Sequence, residues 1–146
     1  MKKSETPAFM NPPDYGKSLA GFTVNLLTAD LARALVFQRD VLQVELLQAD
    51  CDLLIARGYG SSWMVHADHT YDQHALLADT QQHDRRGAGI ELRLHGCDPD
   101  AAAARAREHG FAILDGPRDQ PDHGLREAHL LDADGYVWVP DLPLQN

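Results

Sequence analysis

The chain has 146 residues, 44% of them hydrophobic, with 13 Lys and Arg against 22 Asp and Glu and a formal net charge of −9. That length suits one domain or two small modules sharing a core. The acidic balance excludes a general attraction to nucleic acid or anionic membrane, since Arg85-Arg86 is the one basic pair beyond the N-terminus. Cys51 and Cys97 form neither a CxxC pair nor a disulfide framework, and no apolar run has the length of a signal peptide core or a membrane span, so a cytoplasmic protein is expected.

Residues 1–20, with Pro7, Pro12, Pro13 and Gly16, read as an irregular N-terminal arm ahead of a single domain over 21–143. Residues 21–28 (G-F-T-V-N-L-L-T) alternate as a strand, with Phe22, Val24 and Leu26 on one face and Thr23, Asn25 and Leu27 on the other. Asp30 then caps a helix expected over 31–42, and short strands follow at 44–48, 53–57 and 62–66. The polar stretch 68–88 reads as a linker with a helical turn around 74–78. The plan then starts again. Residues 89–95 alternate Ile90, Leu92 and Leu94 against Glu91, Arg93 and His95. Asp98 and Pro99 open an Ala-rich helix that Gly110 ends. Strands are expected at 111–114, 127–131 and 136–139, with a polar loop over 116–124.

A β-α-β-β-β unit thus occurs at 21–67 and again at 89–140, an α+β plan. One helix leaves one face of a four-stranded sheet uncovered, and two such sheets sharing that face would curve around a cavity.

Residues 124–140 (G-L-R-E-A-H-L-L-D-A-D-G-Y-V-W-V-P) form two apolar runs joined by Asp-Ala-Asp-Gly, a hairpin signal. The pattern G-x-R-E-x-x-x-x-D-x-D-G-Y resembles the C-terminal hairpin of the vicinal-oxygen-chelate superfamily, which contains glyoxalases, extradiol dioxygenases and bleomycin-binding proteins. Residues 22–42 resemble its opening strand and helix, with Phe37 matching, Gln38 in place of the usual Tyr and Gln43 in place of the usual Gly. The resemblance implies paired modules in an incomplete glyoxalase-like barrel around a cavity, and a homodimer. It also implies metal ligands on the first strand of each module and the last strand of the second. Counted onto this chain, those positions fall at Thr23, at Gly89 or Ile90, and at Val139, which supply no His/Glu set for a divalent ion.

Eight histidines remain to be placed. His66, His69 and His74 form H-x-x-H-x-x-x-x-H, a metal-binding spacing if they share a face and otherwise a strand end and a solvated loop. Glu91, Arg93 and His95 share a strand face, so a carboxylate beside an imidazole is available as general base and Arg93 as a fork for a carboxylate or phosphate. Alternatively they form a self-neutralising polar row. Glu127 and His129 have the parity to reach the same cavity. Glu91, His95 and His129 are therefore the catalytic candidates, and Thr23, Asn25, Trp63, His66, Glu91, Arg93 and Glu127 the ligand-binding candidates. The expected function is metal-free binding of a small molecule, such as sequestration of an antibiotic or metabolite, with no cofactor. The alternative is a lyase, isomerase or dioxygenase-like enzyme that uses Glu91, His95 and His129, with or without a relocated divalent metal.

Overall fold

The structure, a computed structural model, describes residues 1–145. Strand β1 (Asn25–Thr28) leads into helix α2 (Leu31–Val36), which Asp30 caps by accepting from the Arg33 N–H at 3.0 Å. Helix α2 continues into a π turn over Phe37–Val41. Strands β2 (Glu45–Ala49), β3 (Leu53–Gly58) and β4 (Ser61–Ala67) complete the first sheet, ordered β1-β4-β3-β2. A linker bearing the short helix α3 (Ala75–Thr80) crosses to β5 (Glu91–His95) and helix α4 (Pro99–Glu108). Strands β6 (Ile113–Gln120), β7 (Leu125–Leu131) and β8 (Val137–Pro143) follow.

The second sheet runs β5-β8-β7-β6. In both sheets the strand before the helix lies parallel to the last strand, and the remaining pairs are antiparallel. The repeat is therefore one of topology, and both sheets are open.

Both helices pack against the same side. Phe37 meets Phe111 edge-to-face at 5.0 Å, and Trp138 of β8 lies 5.5 Å from Trp63 of β4. Leu54 and Val65 of the first sheet, Leu94 and Leu130 of the second, and Ala102, Ala103 and Ala106 of α4 join them in one core. The small Ala face lets α4 come close to the π turn, where Arg105 Nε donates to Val41 O at 2.8 Å, and Arg33 of α2 lies over the Phe111 ring. This is the cluster that lets two half-covered sheets fold as one unit.

The faces turned away from the helices differ. On the first sheet that face carries Leu53, Ile55 and Met64 beside the polar Gln48 and His66, and the N-terminal arm lies along it. The arm is not wholly irregular: α1 (Pro12–Ser18) forms, with proline in its first turn and Asn11 as cap. Its anchor is Asp52, 1% exposed, which accepts from the Lys3 N–H at 2.8 Å and the Ser4 N–H at 2.8 Å and sits 2.7 Å from His69 Nε2. The terminal ammonium pairs with Asp72 at 3.1 Å. Burial pushes the Asp52 carboxyl up. The hydrogen bonds from His69, Ser4 and Lys3 outweigh it and hold the group at about 2.

Two expectations about strands are corrected. Strand β1 begins at Asn25, where its pairing with β4 starts at Met64, and Phe22 is left 91% exposed. The polar stretch 116–124 is mostly strand, since β6 runs to Gln120 and only residues 121–124 turn. As the edge strand it needs no apolar alternation, and it accommodates Pro117 where its register with β7 shifts between Asp115 and Arg118.

Candidate functional site

The hairpin 132–136 is built around one carboxylate. Asp132 Oδ1 accepts from the N–H groups of Asp134, Gly135 and Tyr136, each at 3.0 Å, and Oδ2 accepts from Trp138 Nε1 at 2.9 Å. Burial nonetheless raises its carboxyl to about 6. So folded, the hairpin presents Asp134 to the end of β1, where Asp134 accepts from the Thr28 hydroxyl at 2.5 Å and the Ala29 N–H at 2.9 Å. Tyr136 also reaches across, donating its hydroxyl to Leu27 O at 2.9 Å. Burial pushes that phenol up to about 12, so it stays a neutral donor. From the linker, Arg86 forks onto Asp68 at 2.8 and 2.7 Å, and its N–H donates to Asp134 O at 3.1 Å.

These bonds hold β1, the linker and the β5–β8 edge around a cleft of about 620 Å³. Phe22 and Leu27 come from the first module, Leu76 and Arg85 from the linker, and Ile90 and Tyr136 from the second module. Gly87 has φ +68°, and a Cβ there would lie 2.3 Å from the Tyr136 ring, so only glycine lets the linker close over that ring. Leu76 and Ile90 are exposed, as Phe22 is. Arg85 donates Nε to Gly135 O at 3.1 Å and pairs with no carboxylate among the described residues. A smaller neighbouring space of about 270 Å³ shares Phe22, Thr23 and Glu91 with the cleft and adds Trp63, Arg93 and His95.

The outer face of the second sheet carries a polar row. Arg93 lies among three carboxylates: its Nη2 bonds Glu127 and, at 3.1 Å, Asp141, while Nη1 is 3.4 Å from Glu91. Burial works against the Arg93 charge, and Glu127 and Asp141 outweigh it, raising the guanidinium above its ordinary range. Glu127 is 4% and Asp141 1% exposed, so both depend on that cation. The imidazoles flank them, His129 Nε2 at 2.6 Å from Glu91 and His95 Nδ1 at 2.9 Å from Asp141. The His95 side chain is 70% exposed.

The candidates thus separate. Thr23, Asn25 and Glu91 line the cleft, while Trp63, Arg93 and His95 border its smaller neighbour. Trp63 is largely a core residue, donating Nε1 to the buried Gln38 Oε1 at 2.9 Å. Glu127 and His129 join the polar row and line neither space. His66 lies under the arm. Leu76, Arg85, Gly87, Ile90 and Tyr136 were not foreseen as cleft residues. Ile90 precedes β5 and so escapes the burial its alternation suggests, and the basic pair followed by glycine was the available sign for the linker.

The metal of the resembled family does not fit these residues. Val139, opposite Arg93 in register, is fully buried beneath the row. The cation at the centre of the carboxylates is Arg93 itself. The H-x-x-H-x-x-x-x-H histidines diverge: His69 holds Asp52, His74 accepts from the Leu76 N–H at 2.9 Å, and Tyr71 packs between His66 and His74. Among the described residues no group of three His, Cys, Asp or Glu side chains is disposed to hold a metal. No helix among them is long and apolar enough to cross a membrane.

Comparison with curated protein sequences finds no match. Among solved structures, a glyoxalase/bleomycin resistance protein/dioxygenase family enzyme from Burkholderia phytofirmans PsJN superposes with a TM-score of 0.65 at 19% identity, covering 84% of this chain and 97% of that one. A glyoxalase-related enzyme from Fulvimarina pelagi gives 0.66 at 16% identity, over 84% and 87%. TioX from Micromonospora sp. ML1 gives 0.61 at 20%, over 86% and 99%. At these identities the likeness concerns the fold. Residues 22–139 match the family model of the Glyoxalase/Bleomycin resistance protein/Dioxygenase superfamily, and the chain belongs to that superfamily.

Proposed function

We propose that the protein binds a small planar, amphipathic molecule in the cleft between β1 and β5, without a metal. The observation that carries this reading is the set of exposed apolar side chains, Phe22, Leu76 and Ile90, gathered on one cleft beside the unpaired Arg85. Exposed apolar surface of this kind gains free energy when a ligand covers it. Arg85 would take an anionic or acceptor group of that ligand. Sequestration of an antibiotic or metabolite is the biological form this binding would take, and pairing of two chains would extend the cleft. A calorimetric and mass-spectrometric screen of metal-stripped protein tests it. Retention of a planar amphipathic compound at micromolar affinity is expected, and retention of none would refute it.

The polar row favours a second reading as an acid/base enzyme. The buried Asp141 fixes His95 through Nδ1 and leaves Nε2 free beside the smaller space, the geometry of an oriented general base. A bound compound that is converted, with conversion lost in His95→Gln, would establish this reading instead.

A further inference from the structure

The sequence contains two Asp-Gly pairs, Asp115-Gly116 and Asp134-Gly135. In such a pair the glycine nitrogen can attack the carboxyl carbon of the aspartate side chain, because no Cβ on the glycine shields it. The new N–Cγ bond closes a five-membered succinimide, and the carboxyl oxygen leaves with the amide proton as water. Water then opens the ring at either carbonyl. One opening restores aspartate. The other leaves isoaspartate, whose backbone runs through the former side chain. The reaction needs a side chain free to swing onto the next nitrogen, and a nitrogen that is not held elsewhere.

The two pairs differ on both counts. The Asp134 side chain is 7% exposed, and it accepts from the Thr28 hydroxyl at 2.5 Å and the Ala29 N–H at 2.9 Å. The Gly135 N–H is held by Asp132, through Oδ1 at 3.0 Å and the backbone O at 3.1 Å. Asp115 lies on β6, the edge strand of the second sheet, with its side chain 38% exposed. It pairs with the Arg118 guanidinium, which is itself exposed, and such a pair holds a side chain weakly. Gly116 lies where the register with β7 shifts between Asp115 and Arg118, outside the paired positions. The bulge also requires that glycine: at its φ of +79° a Cβ would lie 2.7 Å from Glu127 O and 3.2 Å from Ala128 Cα. The fold therefore keeps after Asp115 the residue that leaves it reactive.

We infer that Asp115 is a modification site, converted spontaneously to isoaspartate in the folded protein, while Asp134 is sealed against the same reaction by its hydrogen bonds and those of Gly135. Isoaspartate at 115 adds a carbon to the backbone of β6 directly opposite His129 and moves the carboxylate away from Arg118. The change falls on the strand pair that carries Glu127 and His129 of the polar row.

The test is peptide mapping of the full-length protein aged for weeks in warm, mildly acidic buffer, with isoaspartate located by methylation with an isoaspartyl methyltransferase and S-adenosylmethionine. The same protein aged in urea gives the rates that the unfolded sequence allows at each pair. In the folded protein, isoaspartate is expected at residue 115 at least about tenfold faster than at residue 134, because the hairpin must open locally before Asp134 can react. In urea the two rates should become comparable. Asp115→Glu keeps the charge beside Arg118 but would have to close a six-membered ring, and it should remove the signal from the β6 peptide. Absence of isoaspartate at 115 in the folded protein, equal accumulation at the two pairs without urea, or an undiminished β6 signal in Asp115→Glu would each overturn the assignment.

Discussion

Asp134 of the second module accepts the hydroxyl of Thr28 of the first at 2.5 Å, and this pair ties the last hairpin to the end of the first strand. Asp134 is nearly buried, so removing Thr28's donor leaves a carboxylate oxygen without its partner. Thr28→Val is expected to destabilise the protein by about 1–3 kcal/mol. Thermal unfolding should show this as a lower Tm, and an unchanged Tm would mean that the Thr28–Asp134 bond adds nothing to the contacts that hold the modules together.

Arg93 makes a sharper case, because it neutralises two buried carboxylates. Arg93→Met is expected to cost about 3–5 kcal/mol at neutral pH by leaving Glu127 and Asp141 unpaired. Urea denaturation at pH 7 checks this, and a loss below about 1 kcal/mol would assign Arg93 a packing role.

Asp52 and Asp132 predict pH slopes of opposite sign. Asp52 titrates near 2 in the folded protein, below its ordinary value of 3.8. Its contribution is therefore full above about pH 4 and lost as pH falls towards 2. Asp132 is raised to about 6, so the folded state binds the extra proton between about pH 4 and 6, and this group lowers stability as pH rises through that window. Asp52→Asn should remove the acid-side loss, and Asp132→Asn the decline between pH 4 and 6, in denaturation followed across pH 2–7.

The linker closes on Tyr136 only because residue 87 is glycine. Gly87→Ala adds a Cβ at a positive φ and against an aromatic ring, and about 1–3 kcal/mol of stability should be lost, with Tyr136 displaced from the cleft wall. Unfolding measurements give the first quantity, and the Tyr136 ring resonances report the second.

The fold was legible because its signals are local and repeated. The alternation at 89–95, the Asp98-Pro99 helix start and the Asp-Ala-Asp-Gly turn each specify their element without help from distant residues. Strand β6 was legible only at its start, within the strand expected at 111–114; its run to Gln120 was not, since an edge strand gains its order from pairing with β7 rather than from burying one of its own faces. The polar row was half legible. Strand parity put Glu91, Arg93 and His95 on one face, but their partner Asp141 lay beyond the expected end of β8 at 139. The cleft was the least legible part. One of its walls comes from residues 76–90, whose positions follow from long-range bonds such as Arg86–Asp68 and Arg86–Asp134 that no local pattern announces.

The most direct test of ligand binding between the modules is a calorimetric titration of chelator-treated protein with planar amphipathic anions, wild type beside the Phe22→Ser/Ile90→Ser pair. Stoichiometric binding by the metal-stripped wild type is predicted, weakened about tenfold or more in the double variant through lost apolar contact. Binding that appears only when a divalent metal is restored, or that is the same in both proteins, would contradict the account.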